Sequence, residues 1–445
     1  MGGIEFHMEY KIEILILSDG ERFPILVGSD GMPHFYATLW VTTKLRSDKA
    51  VNTIKNHLTD LKCLFKWEEE EGRDLYSEFQ QGKFLDEKEI EKIKTHLSLN
   101  VAFIKGISKN STRNKVIRID DAPALIKTVP KVSRNHHYNK MTSVAEYLDF
   151  IAKLAVCHQN SNKFNRAVTA MTKKIKAFRP KGRGHNVLEP HDELTLPDGI
   201  VEEFLEVAHY DNPLNPFKND MVKRRNHLMF VLLKELGIRR GELLSLSMTH
   251  MSLVGDKPFL WVRREHDSKD DPRKNQPVTK TKERKLRIKK QTAVLIDEYI
   301  LKYRRLTPNA NKHPFLFITH RKGATQGQPL SASTFDTIII PTMKAVDPKF
   351  AYIHAHYFRH DWNEGYSKKI DAINALVDEG SAGHQRIDPV KEAKMRQHHL
   401  GHSNEKSAAV YNKRHIKKRA EEVSLEEQES LEMKLKKLKE ANSHE

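Results

Sequence analysis

Apolar positions along the chain change period several times, and each change predicts an element. Residues 9–34 hold two short apolar runs, Ile12-Glu13-Ile14-Leu15-Ile16-Leu17 and Phe23-Pro24-Ile25-Leu26-Val27. A Ser-Asp-Gly turn follows each run, which predicts a β-hairpin. Ile54, Leu58, Leu61 and Phe65 then recur with the spacing of a helix that buries one face, with Asn52 or Thr53 as its cap. Val144, Leu148, Ile151 and Ala155 repeat the pattern, and Phe164, Val168, Met171, Ile175 and Phe178 repeat it again. Arg179-Pro180-Lys181-Gly182-Arg183-Gly184 breaks it, and Pro190 and Pro197-Asp198-Gly199 follow, as expected of a linker.

Beyond the linker, Leu228, Val231, Leu232 and Leu236 predict a helix stopped by Gly237, and a second helix begins in Ile238-Arg239-Arg240-Gly241-Glu242-Leu243-Leu244. Phe259-Leu260-Trp261-Val262 and Lys285-Leu286-Arg287-Ile288 read as strands flanking a polar loop. Phe315-Leu316-Phe317-Ile318 reads as a further short strand. Leu295, Tyr299 and Tyr303 mark a helix, and others start near Ser331, His356 and Pro389. The expected fold is mainly α with a small antiparallel β-sheet. The expected divisions are an N-terminal hairpin segment (1–34), a helical domain (35–182), a linker (183–195), a second domain (196–420) and a C-terminal helical tail (421–445).

Charge changes the picture more than size does. The 445 residues carry a net charge of +17, so a polyanion is the expected partner. An anionic membrane surface is the competing partner, but no apolar run is long enough to span a bilayer, and no secretory signal opens the chain. Only two cysteines occur, Cys63 and Cys157; that argues against a disulfide scaffold or a Cys-based zinc site and fits a reducing cytoplasm. Candidates for contact with a DNA backbone are Lys55, Lys62 and Lys66 on one helix, Arg183 in the linker, and Arg284 and Arg287 in a predicted strand. Basic residues from Lys105 to Lys140 extend the cationic surface expected of the first domain.

Four segments carry cations able to converge on a phosphate. Arg239 stands at a helix start with Glu242 one turn on; an arginine fork can grip two non-bridging oxygens while a carboxylate fixes its direction. Seven of the twelve residues from Thr279 to Lys290 are Lys or Arg, and a lysine there, Lys280 with Lys282 as the alternative, could protonate a leaving alkoxide. His356-Tyr357-Phe358-Arg359-His360 places His356 and Arg359 on one helical face; His354, His356 and His360 also have ligand-like spacing, but no acidic cluster accompanies them. Last, Leu400-Gly401-His402 precedes Tyr411 by nine residues, and a tyrosine beside cationic groups can serve as a covalent nucleophile.

In this order the segments resemble the tyrosine recombinase (phage integrase) family, whose signature of Arg, Lys, His-x-x-Arg, His or Trp, then Tyr is filled by Arg239, Lys280, His356, Arg359, His402 and Tyr411, with Glu242, His360 and Lys282 in support. The resemblance covers residues 196–415 by motif; the helical stretch 35–180 is similar to the family's core-binding domain only in kind. It implies site-specific strand exchange on double-stranded DNA through a 3′-phosphotyrosyl intermediate, serving integration or excision of a mobile element. It further implies a tetramer on two DNA sites, no metal or other cofactor, and a prokaryotic cytoplasm at the nucleoid. The readings in competition are a catalytically inactive DNA-binding protein of the same fold, a type IB topoisomerase-like strand transferase, and a metal nuclease or hydrolase built on the histidines. The stretch between Arg359 and His402 is longer than the family leads one to expect, with Glu379-Gly380-Ser381-Ala382-Gly383 as an expected inserted loop.

Overall fold

A computed structural model describes residues 9–100, 130–159, 162–181, 199–380, 383, 385–402, 420–421 and 423–435. The chain forms two compact units, one of Met1–Leu17 and Arg22–Glu189, the other of Ser18–Glu21 and Pro190–Glu445. Arg183 and the expected linker 183–195 lie outside the described residues, as do Tyr411 and the basic residues from Lys105 to Lys127.

In the first unit the hairpin forms as expected. Strand β1 (Lys11–Ile16) pairs antiparallel with β2 (Arg22–Val27), Lys11 opposite Val27, and β2 is the buried strand. Around it stand α1 (Phe35–Trp40), α2 (Val51–Glu70), α3 (Leu75–Gln80), α4 (Glu87–Ser98), α5 (Arg134–Ala155) and α6 (Asn162–Ala177). Leu58, Leu61, Leu64, Leu148 and Ile151 from α2 and α5 fill the core. The cap of α2 is neither Asn52 nor Thr53 but extended Ala50, whose carbonyl accepts from Thr53 N–H; both polar residues lie inside the first turn. Where a capping side chain is present it acts as expected, Asp86 and Glu89 exchanging hydrogen bonds in a capping box at the start of α4. Lys140 departs from the sequence reading. It is buried against Asp60, whose carboxyl burial pushes up to about 6 despite the Ser143 hydroxyl that donates to it at 2.7 Å. Lys55, Lys62 and Lys66 are half-buried along α2, and Lys66 pairs with Glu70 at 3.4 Å.

The second unit is built on α7 (Ile200–Val207) and α8 (Asp220–Leu236), whose Leu228, Leu232, Leu233 and Leu236 face inward. Helix α9 (Arg240–Leu244) follows after a left-handed Gly237. Three antiparallel strands, β3 (Met251–Ser252), β4 (Phe259–Val262) and β5 (Arg284–Arg287), lie in that order, with Leu260 opposite Leu286 on the core side. Helix α10 (Lys290–Glu298) continues into a wider turn over Tyr299–Arg304. Phe315–Ile318 is not a continuous strand: its four side chains are all buried, and among the described residues its pairing stops at the isolated bridges Ser247 to Phe315 and Ile318 to Pro329.

Two long helices complete the unit. Helix α11 (Ala355–Asp378) is capped by His354, whose Nδ1 accepts from Tyr357 N–H, and α12 (Pro389–Leu400) is capped by Asp388 with proline at its first position. Helix α11 ends at Asp378, directly before the loop expected at 379–383, of which residues 381 and 382 lie outside the described residues, and Asn374 exchanges two hydrogen bonds with Ile387 where the chain turns back. Among the described residues no helix is long and apolar enough to cross a membrane. The described part of the C-terminal tail, to residue 435, is helical and exposed.

Candidate active site

Arg239 occupies the cap of α9 in extended conformation, and its N–H donates to Glu242 Oε2 at 3.2 Å. Its Nη1 lies 3.5 Å from Glu242 Oε1 and has no hydrogen-bond partner among the described residues. Glu242 is buried and serves as a hub. Its Oε1 accepts from Thr281 Oγ1 at 2.7 Å, and its Oε2 accepts from Arg284 Nη2 at 2.8 Å. Burial pushes its pKa up, but Arg284, Thr281 and Arg359 outweigh that and hold the carboxyl below its ordinary value.

The segment entering β5 is drawn against α9 because Gly241 has no side chain: a Cβ there would stand 2.8 Å from Val278 O. Thr279 and Thr281 are buried, and Lys280 and Lys282 alternate with them as exposed residues. Arg284, expected at a DNA surface, is buried at 6% exposure, its guanidinium donating to Glu242, Thr281 and the carbonyls of Lys282 and His399. Arg287 is exposed on the opposite face of the sheet.

On α11, Arg359 is fully buried. Its Nη1 donates to Gly237 O at 2.8 Å, and its Nη2 donates to Leu400 O at 3.2 Å and to His402 Nε2 at 2.8 Å. An imidazole nitrogen that accepts cannot carry a proton, so His402 is the neutral tautomer protonated on Nδ1. Burial and the charges of Arg359, Arg239 and Arg284 accordingly push its pKa down to about 4. His356 is also pushed to about 4, by desolvation and then by His360, Arg359, Arg239 and His354, although part of its ring is open to solvent. The rings of His356 and His360 meet edge to face at 4.5 Å.

Backbone geometry delivers His402 to this point. Gly401, at φ +66°, ends α12; its N–H donates to His398 O, and His402 N–H donates to Gln397 O, the paired bonds of a Schellman ending. Gly401 O in turn accepts from Lys282 N–H at 2.8 Å. His399, one turn earlier, stacks on Trp362 at 4.4 Å and bonds Leu236 O, locking α12 to α8 and α11. The structure thus brings together Arg239, Arg359, His402 and His356, with Glu242 and His360 beside them, and holds the Lys280 segment against α9. Sequence reading missed Thr281, Arg284 and Gly401 as the parts that join these segments; only the glycine after an amphipathic run was a readable signal.

No curated protein matches the chain. Among solved structures it is similar to the XerH site-specific recombinase bound to palindromic difH substrate in a post-cleavage complex, with 14% identity and a TM-score of 0.39 over 88% of this chain and 93% of that one. It is similar to XerH with difH in a pre-cleavage complex at 13% identity and a TM-score of 0.39, over 85% and 90% of the two chains. For the XerA recombinase the values are 14% and 0.30, over 85% and 92%. Residues 201–377, which hold Arg239, Lys280, His356 and Arg359, match the model of the phage integrase family.

Proposed function

We propose that the chain is a site-specific DNA recombinase that breaks and rejoins duplex DNA through a phosphotyrosine, serving integration or excision of a mobile element. The observation that carries this reading is Arg359. One buried guanidinium bonds the carbonyl of Gly237, two residues before Arg239, and the ring of His402, so it ties together the three distant segments that carry Arg239, Arg359 and His402. Tyr411, nine residues past His402, attacks the scissile phosphorus, its phenolic proton passing to the neutral His356. The new bond joins the tyrosine oxygen to a 3′-phosphate. The bond to the 5′ oxygen breaks, and that oxygen takes a proton from Lys280, with Lys282 as the alternative donor. Arg239, Arg359 and His402 stabilise charge on the non-bridging oxygens as it develops; removing one such donor costs on the order of a hundredfold in rate. A 5′-hydroxyl from a second duplex then reverses the step. One phosphodiester replaces another, so the exchange needs no external energy source.

The same reading makes the helical unit of residues 35–182 a DNA-binding domain, and four copies the working assembly on two sites. The tail 421–445 then docks on a neighbouring copy. The test is capture. The protein is mixed with a pool of random-sequence duplexes nicked in one strand, so that cleavage releases a short fragment and strands the adduct. Protein–DNA adduct that survives denaturation, and is lost in Tyr411→Phe, is expected; its sequence reports the site. An adduct of equal yield in Tyr411→Phe would refute the assignment.

A further inference from the structure

We infer that Arg284 is a positioning residue that keeps Arg239 available to the phosphate by occupying Glu242. The inference rests on the phosphate-site reading above and explains a feature that reading leaves open. Arg239 sits one turn from a buried carboxylate, yet its Nη1 stops 3.5 Å short of Oε1 and makes no hydrogen bond there among the described residues. A desolvated carboxylate beside a mobile guanidinium ordinarily captures it. Here the carboxylate is already engaged. Arg284 Nη2 bonds Oε2 at 2.8 Å, and the Thr281 hydroxyl, itself accepting from Arg284 Nη1 at 2.9 Å, bonds Oε1 at 2.7 Å. Arg239 is consequently aimed by its backbone bond to Glu242 while its side chain stays partly open, 32% exposed against 3% for Arg284.

Two cations of unequal freedom share one anion, and the buried one wins because its fork is fixed on several sides. Arg284 also donates to the carbonyls of Lys282 and His399, so it cannot swing toward a ligand. Take it away and Glu242 keeps its charge in a buried site with one strong donor fewer. Arg239, the nearest guanidinium, closes the remaining gap and is withdrawn from the phosphate. The loss is then electrostatic capture and not collapse, and it should be reversed by deleting the captor.

The experiment uses full-length protein and the duplex recovered by the adduct capture, nicked as before. Single-turnover adduct formation is measured for wild type, Arg284→Met, and Arg284→Met combined with Glu242→Gln. The single variant is expected to cleave about a hundredfold more slowly with unchanged DNA affinity. The double variant, in which no anion remains to hold Arg239, is expected to recover at least tenfold of that loss. A double variant as slow as or slower than the single one, both melting cooperatively, would overturn the inference and make Arg284 mere architecture. Should Arg284→Met not fold, Arg284→Lys takes its place: a lysine preserves the charge on Glu242 but not the fork, so cleavage close to wild type is expected, and a folded Lys variant slowed a hundredfold would overturn the idea. Wild-type protein that yields no adduct refutes the phosphate-site reading and the inference with it; an active wild type with an unrescued double variant refutes the inference alone.

Discussion

Replacing Gly401 by alanine tests how the last helix delivers His402. Two separate costs can be read from the structure. The residue sits at φ +66°, where an L side chain costs about 1–2 kcal/mol. A Cβ would also stand 2.8 Å from both Lys282 O and Arg284 Nη1 and 3.0 Å from Thr281 Cβ, an overpacking of about 1–3 kcal/mol. Restricting the unfolded chain returns about 0.4–1 kcal/mol, so the net loss is roughly 1–5 kcal/mol. For a unit of this size each kcal/mol lowers the melting temperature by about 2–4 °C. Differential scanning calorimetry should therefore place Gly401→Ala roughly 2–18 °C below wild type. Gly401→Asn separates the terms: asparagine tolerates the left-handed conformation but carries the same Cβ, so it should recover only the smaller part. Adduct formation should fall in both, because the Lys282 to Gly401 bond that seats His402 is lost. Gly401→Ala melting within 2 °C of wild type would refute the claim that this close approach is essential.

Arg359→Lys should lower cleavage a hundredfold or more and destabilise the second unit by about 2–4 kcal/mol in urea titration, since a lysine cannot bond Gly237, Leu400 and His402 from one planar group. Stability should also depend on pH. His402, held near 4 in the fold and near 6.5 unfolded, contributes fully above pH 6.5, and its contribution declines as pH falls to 4, by up to about 3 kcal/mol. Urea midpoints unchanged between pH 7 and 4.5 in wild type, but lower in His402→Gln, would contradict the neutral buried ring. On the outer face of the sheet, Lys285 lies 4.9 Å over Phe259 and 5.1 Å over Trp261, and Arg287 faces Phe259 across the strands. Removing both cations as glutamines should reduce the salt slope of DNA binding by about 2, measured by fluorescence anisotropy; an unchanged slope would take this face out of the interface.

The elements themselves were largely legible in order. Apolar periodicity located the helices around Leu58, Leu148 and Leu228, because an amphipathic stripe is a local property of the chain. Turn chemistry located the first hairpin, and charge with motif order pointed to the residues gathered around Arg359. Two readings failed where local signals are ambiguous. Phe315–Ile318 is apolar enough for a strand but finds no ladder, and α2 starts on Ala50 without a polar cap.

What only the tertiary structure decided is the fate of each charge. In the sequence Arg284 is one cation among seven in a basic run, like Arg287 three residues later. The fold buries the first against Glu242 and leaves the second in water, because strand alternation sends alternate side chains to opposite faces and β5 has only one face against the core. Lys140 was likewise counted as surface charge and proves buried beside Asp60. Composition determined that the chain is cationic; packing determined which cations are spent holding it together and which remain for a phosphate.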